Sequence, residues 1–222
     1  MIFTHTGKLG DFIFSLPVAN WYYKVSGEKI HYVLSNEIYH FNSIIPEFVT
    51  HIPCIDRLSL VPHHIENFTC GGQPYKFDPS KYGISGKYFN LGYRHFPNKY
   101  CAEFIGEEHG FGTEYDNLFN IHPDLSMYDT TFYTNDYYRI SSKVNIEGFT
   151  ELSFKDPLHI NVQKILGAKE VRTLHSGFAA ICDLLISEKL YVYASPSISI
   201  YGKVFFKNND FLVKNNRYII IE

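Results

Sequence analysis

Asp11 is the first residue whose surroundings suggest chemistry. It closes the run Met1-Ile-Phe-Thr-His-Thr-Gly-Lys-Leu-Gly-Asp11, in which a β-favouring stretch (Ile2 to Thr6) meets a loop holding Gly7 and Gly10 and then an apolar-periodic segment. That order predicts strand, tight turn and helix, with Asp11 as the N-cap and glycines that let backbone approach a ligand. A carboxylate at the carboxyl end of a first parallel strand lies where open α/β sheets bind ligands. The plainer reading of Asp11 is a helix cap and nothing more, a role Asp favours. A second corner stands at Thr173-Leu-His-Ser-Gly-Phe-Ala-Ala180, between a strand (Glu170 to Leu174) and a helix starting at Ser176. A helix start presents unpaired N–H groups and the positive end of its dipole. Ser176 adds a hydroxyl and Gly177 removes side-chain bulk, so the Ser176–Gly177–Phe178 turn suits a phosphate or diphosphate. Read plainly, it is a capped helix whose apolar face (Phe178, Ile181, Leu184, Leu185) packs on a sheet.

The first loop does not match two common phosphate motifs. Gly7-Lys-Leu-Gly10 lacks the first glycine pair of the dinucleotide fingerprint, and no Lys-Ser/Thr pair follows Gly10 as a P-loop requires. The eleven His residues fall into no H-E-x-x-H or Cys/His ligand spacing, so no metal site is expected. A Gly-x-Ser-x-Gly elbow is missing too, which disfavours hydrolase chemistry.

These corners need elements to position them. The helix from Asp11 to Val25 stops at Gly27, and strands are expected at Lys29 to Ser35 and Ile55 to Val61. Asn36 is expected to cap a helix ending before Pro46. From His63 to Gly86 turn residues follow one another without period, a loop that is either a functional element or an irregular surface connection. Lys87 to Phe96 reads as a strand delivering Arg94 and His95 to a loop, where ligand contacts are common, and Tyr100 to His109 as a helix. The polar, aromatic stretch from Gly110 to Glu151 reads as the hinge, with a strand at Thr130 to Ile140. Beyond it Asp156-Pro157 opens a helix ending at Gly167, followed by strand, helix (Ser176 to Ser187) and strand (Lys189 to Ala194). Strands alternating with helices predict an α/β protein with parallel sheets, here two small Rossmann-like domains, 1–125 and 126–222, facing across a cleft. A hairpin turning at Asn208-Asn209 accounts for the basic, aromatic run from Lys203 to Arg217.

Composition sets outer limits. The chain has 222 residues, 45% of them hydrophobic, enough for a real core, and a net charge of -3 that carries no global signal for nucleic acid. Four scattered Cys without a Cys-x-x-Cys, and no secretory leader, point to a reducing cytoplasm. The longest apolar stretch, Phe178 to Ile186, is broken by Asp183 and is too short for a membrane span.

Gly10-Asp11-Phe-Ile-Phe-Ser-Leu16-Pro17 resembles the amino-terminal loop of the heptosyltransferase-like GT-B glycosyltransferases, which reads Gly-Asp, apolar stretch, Leu-Pro. The resemblance implies that Asp11 is the general base of an inverting, metal-independent transfer from a nucleotide sugar, with the donor as co-substrate and no further cofactor. It also implies that Ser176, Gly177 and Phe178 grip the donor diphosphate, with Lys8 and Gly10 in the first loop and the cations Arg172 and Lys203 helping to neutralise it. Arg94 and His95 become candidates for acceptor binding. The second corner departs from the family pattern at His175, where an acidic residue is common, and at Ala180, where His is common. A looser resemblance, to phage enzymes that glycosylate hydroxymethylated bases of their own DNA, adds DNA as an acceptor and a host cytoplasm as the setting. A saccharide or lipid-linked acceptor is the other enzyme branch, and a non-catalytic nucleotide-binding module is the rival outside enzymes. Oligomeric state is left open by the sequence.

Overall fold

The computed structural model describes residues 1–38, 44–64, 77–92, 97, 99–134, 147–153, 155–174, 177–194 and 218–220. The chain divides into two compact units, Met1–Asn120 and Ile121–Glu222. Each is built on a parallel sheet.

In the first unit β1 (Ile2–His5), β2 (Ile30–Ser35), β3 (Ile55–Val61) and β4 (Tyr88–Asn90) lie in the order β3-β2-β1-β4. Helices α1 (Leu9–Ser26), α2 (Ile44–Val49) and α3 (Cys101–His109) belong to the same unit. Parallel strands need crossovers and covering on both faces, which is why β1 is buried at every position. Its period-two alternation splits the core. Phe3 faces one way, into an aromatic cluster with Tyr22 and Tyr32, Phe89 and Phe111. Ile2 faces the other way, with Val33 and Val61 under Phe77, Tyr82 and Ile84. The described end of the loop read between His63 and Gly86 is thus a cover for the sheet's second face.

Helix α1 is buried continuously from Phe12 to Asn20, as a central core helix must be. Pro17 sits inside it and costs about 3 kcal/mol in lost hydrogen bonding and crowding. Full burial of Phe12, Ile13, Phe14, Leu16 and Val18, at about 1.5–3 kcal/mol each, outweighs that cost. The helix stops at Gly27, whose φ of 72° is the left-handed conformation that glycine adopts without strain.

Two expectations are corrected here. Helix α2 does not end before Pro46 but contains it in its first turn, where the missing N–H has no helical partner to lose. Residues 111–120, read as part of a hinge, are bound to the first unit: the Glu114 N–H donates to the Pro17 carbonyl (2.9 Å), the Asn120 N–H to the His51 carbonyl (2.7 Å), and Lys24 pairs with Glu114 (2.9 Å). The Asn20 side chain donates to the carbonyls of Glu114 and Asp116, so a polar segment is satisfied against a buried helix.

In the second unit β5 (Thr131–Tyr133), β6 (Thr150–Glu151), β7 (Glu170–Leu174), β8 (Leu190–Ala194) and β9 (Tyr218–Ile220) lie in the order β6-β5-β7-β8-β9, all parallel. Helices α4 (Leu158–Gly167) and α5 (Gly177–Ile186) connect β6 to β7 and β7 to β8. Strand β5 is shorter than the Thr130–Ile140 strand expected, the remainder of which lies outside the described residues. The Asn208-Asn209 hairpin lies outside them as well, and the edge strand β9 was not foreseen.

Each sheet has one place where the strand order reverses. In the first, the chain winds outward from β1 through β2 to β3 and then crosses to β4 on the far side of β1. In the second, β5 leads out to β6 and the return lands on β7. Ligands in open α/β sheets bind outside the carboxyl ends of the strands at such reversals. The corners of interest are therefore β1/β4 and β5/β7.

Candidate active site

At the β1/β4 corner the chain leaves His5, passes Thr6 and Gly7, and enters α1 with Lys8 as N-cap. Asp11 is not the cap, as expected from sequence, but the third helical residue, because Leu9 and Gly10 are already helical. From there its Oδ2 accepts the Lys8 N–H at 2.8 Å, satisfying one of the amides that a helix start leaves open. The acid is partly exposed and sits at the positive end of the helix dipole, which favours its charge.

Gly7 is obligatory in this turn. A Cβ built on it would lie 2.6 Å from His5 Cε1 and 2.8 Å from Asp11 Oδ2, closer than real Cβ contacts allow. The His5 ring and the Asp11 carboxylate thus converge on the same bare α-carbon. The Gly7 N–H donates to His5 Nδ1 at 2.9 Å, so the neutral ring carries its proton on Nε2. Burial, reinforced by the charge of His109, lowers the His5 pKa to about 3. His109, at the end of α3, donates from Nε2 to the Gly92 carbonyl just beyond β4 (3.2 Å), so the far side of the corner is tied down as well. The Thr6 hydroxyl is buried and has no hydrogen-bond partner among the described residues.

At the β5/β7 corner the described strand ends offer hydroxyls. The Thr134 N–H donates to the Arg172 carbonyl (2.9 Å), which continues the β5/β7 ladder and sets Thr134 beside Thr173 at the strands' carboxyl ends. Both threonines are buried, and neither hydroxyl has a hydrogen-bond partner among the described residues. Buried hydroxyls left unmatched cost about 1–3 kcal/mol each, a penalty that a bound ligand can lift. Gly177 opens α5 directly after this strand end, and Phe178 is buried in the core, so what Phe178 can offer a ligand is its backbone amide. Ser176 lies outside the described residues.

Among the other sequence candidates, Lys8 is the N-cap of α1, and Gly10, expected in the loop, is already helical. Arg172 lies within β7, where its guanidinium is 2.6 Å from Glu170, 4.4 Å from the Phe149 ring centroid and 5.7 Å from that of Tyr191. Its charge is already matched on the sheet face. Arg94, His95 and Lys203 lie outside the described residues. His63 and His64 point apart: the first meets the Tyr82 hydroxyl (2.9 Å), the second Glu37 (2.6 Å). Among the described residues no group of three His, Cys, Asp or Glu could hold a metal ion, and no helix is long and apolar enough to cross a membrane.

No protein-family model matches the sequence, and no curated protein does. Solved structures do match. Over its whole length the chain superposes on the E. coli heptosyltransferase WaaC solved with ADP, at TM-score 0.61 and 11% identity, covering 93% of that chain. It also superposes on a glycosyl transferase family 9 protein from Veillonella parvula (TM-score 0.54, 13% identity, 85% of that chain). A further match is the iron-containing dodecameric glycosyltransferase TibC from enterotoxigenic E. coli (TM-score 0.53, 14% identity, 62% of that chain). The chain has the GT-B fold of the heptosyltransferases. It is a reduced GT-B, with two small Rossmann-like units and strands as short as two residues. The Gly10-Asp11 motif thus occurs in the fold with which its sequence was associated.

Sequence reasoning missed Thr6, His5, Thr134 and Thr173. Their only signal is position, at or next to the carboxyl ends of buried strands. Nothing in a linear pattern distinguishes such a residue from an ordinary core polar group.

Proposed function

We propose that the protein is an inverting glycosyltransferase that moves a sugar from a nucleotide-sugar donor to an acceptor hydroxyl. The observation that carries this reading is the Asp11 carboxylate, seated at the carboxyl end of β1 at the sheet's reversal by the Lys8 N–H. In the reaction the acceptor oxygen attacks the anomeric carbon as the bond to the nucleotide diphosphate breaks. Asp11 takes the acceptor's proton, and single displacement inverts the anomeric centre. The first unit supplies the base. The second supplies the donor seat: the Gly177 and Phe178 amides at the start of α5, the Thr134 and Thr173 hydroxyls and Ser176 stabilise the departing diphosphate, with Lys8 as a candidate cation. Backbone amides and hydroxyls carry out here the charge neutralisation that a metal supplies in other transferases, so the reaction is metal-independent. The WaaC structure with ADP supports a nucleoside diphosphate leaving group.

The test is incubation of the purified protein with a panel of nucleotide sugars and four acceptor classes: hydroxymethylated duplex DNA, unmodified duplex, oligosaccharides and lipid-linked saccharides, each read by mass spectrometry. The expected result is a one-sugar mass gain on one class, unaffected by EDTA. Gain on hydroxymethylated DNA alone would place the enzyme among DNA-modifying transferases. Nucleotide binding without transfer to any class would overturn the enzyme reading in favour of a binding module.

A further inference from the structure

We propose that His5 is a positioning residue for Asp11: its imidazole holds the Gly7 peptide, and through it the turn that delivers the Lys8 N–H to the Asp11 carboxylate. The inference rests on the reading of Asp11 as the base, and it adds a second residue to that base.

Three observations converge on it. The Gly7 N–H is bound to His5 Nδ1 at 2.9 Å, and the Lys8 N–H, on the next peptide, is bound to Asp11 Oδ2 at 2.8 Å. Two successive amides of the loop are thus fixed by two side chains, so the orientation of one peptide constrains the other. The His5 ring and the Asp11 carboxylate also press on the same face of Gly7, where a methyl group would collide with both. A shift of the ring therefore moves the glycine and the carboxylate together. Finally, His5 is fully buried on the side of β1 shared with Phe3, where its ring cannot swing away.

The protonation state suits this task. An imidazole can accept the Gly7 N–H only while Nδ1 keeps its lone pair, and burial holds the pKa near 3, so the ring is neutral at any working pH. His5 is accordingly neither an acid nor a base in the reaction. It fixes where the base stands, and displacement of a catalytic group by about 1 Å costs roughly 100-fold in rate.

The test compares His5→Phe, which keeps a flat ring and loses the acceptor, with His5→Asn, whose side-chain oxygen occupies the place of Nδ1. In the full-length protein His5→Phe is expected to lower kcat roughly 10- to 100-fold with the KM for the donor unchanged, and His5→Asn to recover most of the loss. Amide proton shifts supply a readout that needs no turnover. The Lys8 amide, assigned by its response to Asp11→Asn, should lose its hydrogen-bonded shift in His5→Phe and keep it in His5→Asn. If the two variants lose activity in step with their melting temperatures, or if the Lys8 amide is unmoved in His5→Phe, the positioning role is overturned. If the wild-type protein transfers no sugar at all, the function proposed above fails while the amide shifts still decide the structural link.

Discussion

The two reversal corners share a topology and differ in what they expose. At β1/β4 two titratable side chains, His5 and Asp11, press on one glycine, and His109 acts on His5 by its charge. At β5/β7 the matching place holds two threonine hydroxyls and the start of a helix, with Arg172 of β7 paired with Glu170. A parallel sheet with crossover helices thus supplies the same kind of place twice, and the side chains at the strand ends decide its task. A carboxylate held at a helix start is suited to taking a proton. Neutral donors beside a helix start are suited to holding an anion.

The comparison can be broken at its most asymmetric point, the buried histidine. A histidine whose pKa falls from 6.5 to about 3 on folding leaves the unfolded chain binding the extra proton, so it contributes stability above pH 6.5 that is lost as pH falls toward 3. Each pH unit below 6.5 is worth about 1.4 kcal/mol, which amounts to roughly 2–3 kcal/mol by pH 4.5. Denaturant unfolding of wild type and His5→Asn across pH 7.5 to 4.5 should show the stability difference constant above about pH 7 and shrinking below it. A difference independent of pH would contradict burial of a neutral ring. No such dependence is expected from Thr134 or Thr173, which do not titrate.

Gly7→Ala attacks the same corner sterically. The methyl would have to displace the His5 ring or the Asp11 side chain, so transfer should fall roughly 100-fold while donor affinity, which the proposal assigns to the other corner, changes little. Equal loss of both would mean that the two corners are not separable. Thr173→Val sharpens the contrast from the other side. Removing a buried hydroxyl that has no partner among the described residues should leave the free protein as stable or slightly more so, yet weaken donor binding roughly tenfold, read by thermal melts and calorimetry. Lower stability with unchanged donor affinity would show that the hydroxyl serves the fold alone.

Much of this was legible in the chain. The first corner announced itself because Gly7, Gly10 and Asp11 interrupt an otherwise apolar stretch, and Ile55 to Val61 was bounded by its own turn residues. Strand β2 and helix α3 followed period and punctuation in the same way. Other features depended on partners distant in sequence. The tethering of 111–120 comes from Asn20 and His51, and Pro46 is tolerated only because the helix happens to begin two residues before it. Strands of two or three residues such as β6 and β4 carry too few positions to show a period, so neighbouring strands define them. His5 was passed over for the same reason. Its role comes from a ring nitrogen meeting the amide two residues on, a contact set by the turn and not by composition.

The most direct test of the division of labour is to measure transfer and donor binding together in Asp11→Asn. The substitution keeps the shape of the side chain and an oxygen for the Lys8 N–H while removing the base. Transfer should fall by roughly 10²–10⁴-fold, with the nucleotide-sugar dissociation constant within about threefold of wild type. Transfer at the wild-type rate, or donor affinity lost in parallel with it, would contradict the assignment of proton transfer to the first corner and donor binding to the second.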